Sequence, residues 1–158
     1  MHIRPTTPSD RSAVEALMER YAGSPFQARK GELLATHELS GFVAEEGAEL
    51  AGFAGYHFPR SGECELAALF ARLQTGIGTK LVEAVVEEAR RSGARRLWLI
   101  TTNDNIEAMR FYQRRGFRLA ALYPGAVDDS RRTLKPDIPA IGNFGIPIRD
   151  EIEFEMVL

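Results

Sequence analysis

Two hydrophobic periods alternate along the chain, about 3.6 residues in some stretches and about 2 in others, and each change of period marks an element. Residues 2–4 read as a short strand that Pro5 stops. Ser9 or Asp10 then caps a helix carrying Val14, Leu17, Met18 and Tyr21 on one face, and Ser24-Pro25 ends it. Residues 26–40 hold no clear period, with 32–39 a candidate second short helix. Residues 42–45 and 49–58 form a hairpin turned at Gly47, and 63–70 form a third strand after the Ser61-Gly62 turn.

The middle of the chain is more strongly patterned. Residues 76–91 predict a helix with Ile77, Leu81, Val82, Val85 and Ala89 as its apolar face and Glu87–Arg91 as an i,i+4 pair. Ser92-Gly93 closes it. Residues 97–101 are continuously apolar, as in a central strand. Asn103 or Asn105 caps a helix that runs to Arg115 and stops at Gly116, followed by a strand over 117–123. Residues 124–147 read as a long proline- and glycine-rich connection. Over 149–158, Ile152, Phe154 and Met156 alternate with Glu151, Glu153 and Glu155, a strand with one buried face. The fold class is therefore mixed α/β: one sheet flanked by helices, with parallel crossovers in the middle and hairpins at the ends. No repeat or linker divides the chain, so a single domain over 1–158 is expected.

Composition narrows the function classes. The chain has 158 residues, 44% hydrophobic and 27% charged, with a formal net charge of −2, so no global charge favours nucleic acid or an anionic membrane. No apolar run approaches the roughly 20 residues of a membrane span, and the N-terminus lacks a secretory h-region. One cysteine, Cys64, allows no internal disulfide; a cytoplasmic location is the expectation. His2, His37 and His57 share no metal-ligand spacing with one another or with Cys64, and no metal is expected.

Two motifs carry chemistry. The first is Gln74-Thr75-Gly76-Ile77-Gly78-Thr79-Lys80, between a strand and a long helix. A helix start leaves about four N–H groups unpaired and carries roughly +0.5 charge, and glycines let an anion such as a pyrophosphate approach the backbone. A ligand-free strand-to-helix turn uses the same glycines. A Walker P-loop is excluded, because Leu73 stands at its first glycine and Thr79 at its lysine. A dinucleotide fingerprint meets Leu81 where a small residue belongs, although Asp104 is available as its ribose acid. The second motif runs from Asn105 to Phe117. Asn105, Ala108 and Tyr112 are spaced i, i+3, i+7, on one helix face. Taken alone, Asn105 reads as an N-cap and Tyr112 as a core aromatic.

Together the two motifs make residues 63–122 resemble the GNAT superfamily of N-acetyltransferases. Gly76-Ile77-Gly78 is similar to the family's coenzyme pyrophosphate loop, and Asn105, Ala108, Tyr112, Gly116 and Phe117 to its next helix and strand. One departure is Leu73, where the family carries Gln or Arg. The resemblance implies a GNAT-like acyl-CoA N-acyltransferase fold and acetyl-CoA as acyl donor, in a V-shaped opening between the strands over 63–70 and 97–101. It implies coenzyme contacts from Leu69, Phe70, Gln74, Thr75, Gly76, Ile77, Gly78, Thr79, Asn105 and Tyr112. A main-chain amide near Leu69 or Phe70 would polarise the thioester carbonyl. Tyr112 would donate to the departing sulfur while a primary amine attacks directly in a ternary complex.

The acceptor side is more open. Glu63 and Glu65 bracket Cys64 and are candidate bases, with water or plain solvation as alternatives; Cys64 reads as a small core residue. The 124–147 connection is a candidate wall for the amine pocket, with Asp128 or Asp129 facing its ammonium group, or else a solvated insertion. The sheet end near the last strand is a candidate for pairing as a homodimer. A non-catalytic acyl-CoA sensor and a nucleotide-binding oxidoreductase are the rival functions.

Overall fold

The computed structural model describes residues 1–73 and 75–158. Its strands are β1 (His2–Pro5), β2 (Phe26–Arg29), β3 (Glu32–Ala35), β4 (Ser40–Glu46), β5 (Glu49–Arg60), β6 (Glu63–Ala71), β7 (Arg96–Thr102), β8 (Arg118–Tyr123) and β9 (Glu151–Val157). Its helices are α1 (Arg11–Ala22), α2 (Ile77–Arg91), α3 (Ile106–Arg114) and α4 (Ala126–Thr133). Seven strands follow the order β1-β4-β5-β6-β7-β9-β8 in a mixed sheet, and β2 pairs with β3. The chain groups into two compact units, one of Met1–Phe26, Ala35–Leu97 and Val157–Leu158, the other of Gln27–Leu34 and Trp98–Met156.

In the first unit β1, β4, β5 and β6 are successive antiparallel neighbours, with Ile3 opposite Ala44, Val43 opposite Phe53 and Ala54 opposite Leu69. Val14 and Met18 of α1 pack with Val43, Phe53 and Ala68 in one core cluster. Tyr21 was expected on that face of α1 but is 49% exposed. Ile77, Leu81, Val85 and Ala89 of α2 are buried, as their spacing predicts. Gly52 lets α2 sit this low: a Cβ there would come within 2.9 Å of Ile77 and Leu81 and 2.8 Å of the Phe70 carbonyl. Ahead of α1, Asp10 accepts both guanidinium arms of Arg4 at 2.7 and 2.8 Å and the Thr7 amide at 2.7 Å. The Arg4 hydrogen bonds hold the Asp10 carboxyl well below the usual carboxylate range. The short helix expected over 32–39 is not formed. Only Thr36–Glu38 makes a 3₁₀ turn, with Thr36 Oγ1 donating to the Pro25 carbonyl at 2.8 Å.

In the second unit, the β2–β3 turn is a Lys30-Gly31 pair with φ of 50° and 75°, the all-positive signature of a type I′ hairpin. Asn105, rather than Asn103, caps α3: its Oδ1 accepts from the Ala108 amide at 3.3 Å. β8 and β9 are antiparallel, with Leu119 opposite Phe154 and Tyr123 opposite Glu151. Phe154 is fully buried, as the alternation predicts, but so nearly are Glu151 and Glu153, at 2% and 6% exposure. The expectation of one apolar face and one solvated face fails because both carboxylates find partners. The 124–147 connection also differs from its reading as coil, since it contains α4 and a Gly142–Ile146 turn. Arg131 fixes this segment by donating to the carbonyls of Ile138, Pro139 and Ile148 at 2.8 to 3.0 Å.

Candidate active site

In the first unit the helix α2 opens without a side-chain cap. Gly76 stands at its N-cap with φ of 77°, a left-handed conformation that suits glycine, and no acid occupies the first turn. Thr75 and Gly76 are exposed, Gly78 and Thr79 half-buried and Ile77 buried in the core. Among the described residues, no atom outside the turn lies within 4 Å of where a Gly76 Cβ would be. Thr75 Oγ1 donates to the Arg72 carbonyl at 2.7 Å, which shapes the turn from within. Gln74 lies outside the described residues. Leu73 is 87% exposed. The donors an anion needs here are main-chain N–H groups aligned with the helix dipole.

Leu69 and Phe70 lie half-buried near the end of β6, opposite Ala54 and Phe53. Closer to the start of the same strand, Glu63 pairs with Arg60 at 3.2 Å and Arg96 at 3.5 Å. Glu65 is 1% exposed and lies 2.6 Å from His57 Nε2 on β5. Sequence reasoning missed His57: a regular hairpin turned at 61–62 puts residue 57 across from 66, and an irregularity between His57 and Arg60 moves it opposite Glu65. Cys64 between the two glutamates is buried, and desolvation pushes its thiol up to about 12. It stays protonated and is no nucleophile.

In the second unit, Tyr112 projects from α3 into an aromatic nest. Its ring lies 5.3 Å from Phe111, 5.5 Å from Phe117 and 6.4 Å from Phe154. Burial raises its pKa well above that of a free phenol, so it is a proton holder throughout the working pH range. Asn105, at the other end of α3, spends its carbonyl oxygen on the cap. Asp128 and Asp129 sit in the first turn of α4. Asp128 pairs with Arg131 at 2.9 Å, and Asp129 pairs with Arg132. Asp104 is 3% exposed and accepts from Thr102 Oγ1 at 2.5 Å, the Asn143 amide at 2.9 Å and Asn143 Nδ2 at 3.1 Å. Its carboxylate is committed to the loop, which removes the ribose acid that a dinucleotide site would require.

A glycine-turned, uncapped helix start, with the Asn105–Tyr112 helix after the next strand, agrees with the family comparison. The sequence model of the acetyltransferase (GNAT) family matches residues 9–117. The chain belongs to the GNAT acetyltransferase family. Among relatives, it is 40% identical over 156 residues to the uncharacterized protein YdhI of Bacillus subtilis, covering 96% of each chain. The GNAT fold is equally clear in solved structures. An IAA acetyltransferase from Bacillus cereus superposes with a TM-score of 0.79 at 22% identity, covering 99% of both chains. A Bacillus subtilis acetyltransferase solved in complex with CoA superposes at 0.72, with 20% identity over 99% of this chain and 98% of that one. Among the described residues of this GNAT chain, no cluster of three or more His, Cys, Asp or Glu side chains is placed to hold a metal ion. No helix among them is long and apolar enough to cross a membrane.

Proposed function

We propose that this GNAT chain transfers an acetyl group from acetyl-CoA to a primary amine by direct attack. The observation that carries the reading is the α2 start: no side-chain cap, no acid in its first turn, and an exposed left-handed Gly76. Such a start fits a pyrophosphate, held by the N–H groups of residues 76–79 rather than by side chains. That explains why the family's usual Gln or Arg is dispensable at Leu73. Acetyl-CoA supplies the acetyl group as an activated thioester. The backbone of Leu69 or Phe70 supplies the N–H that polarises the thioester carbonyl, and Asn105 orients α3 beside the coenzyme arm.

Tyr112 donates a hydrogen bond to the departing sulfur. A free phenol titrates near ~10 and a thiol near ~8.5, so complete proton transfer is already uphill by roughly 2 kcal/mol. Burial of Tyr112 widens that gap. Its part is therefore to stabilise negative charge on sulfur by a hydrogen bond in a desolvated setting. The amine must lose a proton. Glu65 is the base of choice between the two glutamates, because Glu63 is shared by two arginines while Glu65 faces His57, a group that can relay a proton outward.

Calorimetry with acetyl-CoA, followed by release of free CoA with an amine panel, tests this reading. Gly78→Val should weaken acetyl-CoA binding by tenfold or more, about 1.4 kcal/mol, in folded protein. Unchanged affinity would remove the pyrophosphate assignment. Binding without CoA release from any amine would favour a sensor on the same fold.

A further inference from the structure

The second unit holds a polar arrangement that acetyl transfer does not use. Glu153 is 6% exposed on β9, where it accepts from Lys30 Nζ at 3.1 Å and from the Tyr123 hydroxyl at 2.9 Å. Lys30 Nζ also donates to the Tyr123 oxygen at 3.2 Å. The same ammonium sits 5.2 Å from the centre of the Trp98 ring and 4.9 Å from that of Tyr123. Glu151, 2% exposed, accepts the Lys30 amide at 3.0 Å. A carboxylate, a phenol and two aromatic rings thus surround one alkylammonium, the donor set that selects organic cations from water.

The occupant is unusual. Lys30 comes from a two-residue turn, and its φ of 50° is uncommon for a residue that is not glycine. Its side chain is 36% exposed while that of Glu153 is 8% exposed, so the cation touches both the cage and solvent. Burial alone would lower the Lys30 pKa; the hydrogen bonds to Tyr123 and Glu153 outweigh it, and the ammonium stays charged. A buried carboxylate needs a counter-cation, and here the lysine side chain of a hairpin tip provides it. A free alkylammonium offers the same charge and the same three donors.

We infer that the Trp98–Tyr123–Glu153 cage binds an alkylammonium ligand, with Lys30 as its built-in occupant until the ligand arrives. This stands beside the acetyltransferase reading and does not depend on it.

Trp98 is the single tryptophan of the chain, so intrinsic emission reports on this cage. The probe is 1,5-diaminopentane, titrated into full-length protein against 1-pentanol. The diamine should change the emission saturably and the alcohol should not. Lys30→Asn, which tolerates the left-handed turn, should tighten the diamine at least fivefold by removing the competitor. Glu153→Gln should weaken it at least tenfold, and Tyr123→Phe serves if that variant does not fold. Equal diamine affinity in wild type and Lys30→Asn, or no response to diamine, would make the ion pair an internal fastener and overturn the proposal. Acetyl-CoA calorimetry on the same samples separates the two readings. Acetyl-CoA binding without a diamine response refutes the cage alone, whereas loss of acetyl-CoA binding in wild type refutes the acetyltransferase reading.

Discussion

Gly142→Ala tests whether Asp104 anchors the segment that follows α4. A Cβ at position 142 would lie 2.6 Å from Asp104 Cγ and 2.7 Å from Ile148 Cγ1, against an ordinary carbon contact of about 3.5–4.0 Å. One neighbour must retreat by about 1 Å. Gly142 has a φ of −111°, so the effect is crowding and not backbone handedness. Asp104 is the closer obstacle, and its retreat breaks the bonds to Asn143 and strains the one to Thr102. Hydrogen bonds to a charged group are worth about 1.5–3 kcal/mol each, so losing two costs about 3–6 kcal/mol. For a chain of this size that lowers Tm by roughly 6–24 °C. Urea unfolding of the single variants and the double variant gives the coupling. In an Asp104→Ser background, Gly142→Ala should cost clearly less than in the wild-type background, because only the Ile148 contact remains in the way. Equal costs in the two backgrounds would refute the anchor.

Other expectations follow from the same geometry. Tyr112→Phe removes one hydrogen-bond donor and should lower turnover by roughly 10²–10³ with little change in acetyl-CoA affinity, and steady-state kinetics with calorimetry reads both. Because burial raises the Tyr112 pKa, the wild-type rate profile should show no basic limb from this phenol up to pH ~10. Glu65→Gln should reduce kcat/KM for the amine at least tenfold while the acetyl-CoA dissociation constant holds; unchanged kcat/KM would move the base elsewhere. Asp10 has a depressed native pKa, so its contribution is complete above the unfolded value near ~3.9 and is lost as pH falls through the native one. Asp10→Asn should therefore lower Tm at pH 7 and flatten the loss of Tm between pH 5 and 3; parallel curves for the two proteins would exclude this role.

Elements with local signals were legible from sequence. The α2 face, its glycine start and the Asn105–Tyr112 spacing all depend on residues within a few turns of one another, and those spacings carried the family resemblance. The β2–β3 hairpin was not legible. Phe26-Gln27-Ala28-Arg29 alternates over only four residues, and its type I′ turn uses Lys30 where Asn or Asp would announce it. β9 misled for a different reason. Glu151 and Glu153 look like a solvated face until Lys30 arrives from 121 and 123 positions away. α4 has eight residues with only Val127 and Ser130 buried, too short a stripe to outweigh the prolines around it.

The distance along the chain between Lys30 and its partners also bears on how the protein is made. Translation runs at about 5–20 residues per second, so a gap of some 120 residues leaves the hairpin tip waiting roughly 6–24 s for β9. Throughout that interval the turn holds a cation without its counter-charge. β9 then completes the second unit up to Met156, while Val157–Leu158 joins the first, where the Leu158 amide bonds the Arg95 carbonyl at 2.9 Å. Neither unit can reach its final form on a nascent chain that stops before β9. Ribosome-bound intermediates arrested at residue 148 should therefore be cut readily by protease in the β2–β3 turn, and chains released after β9 should resist.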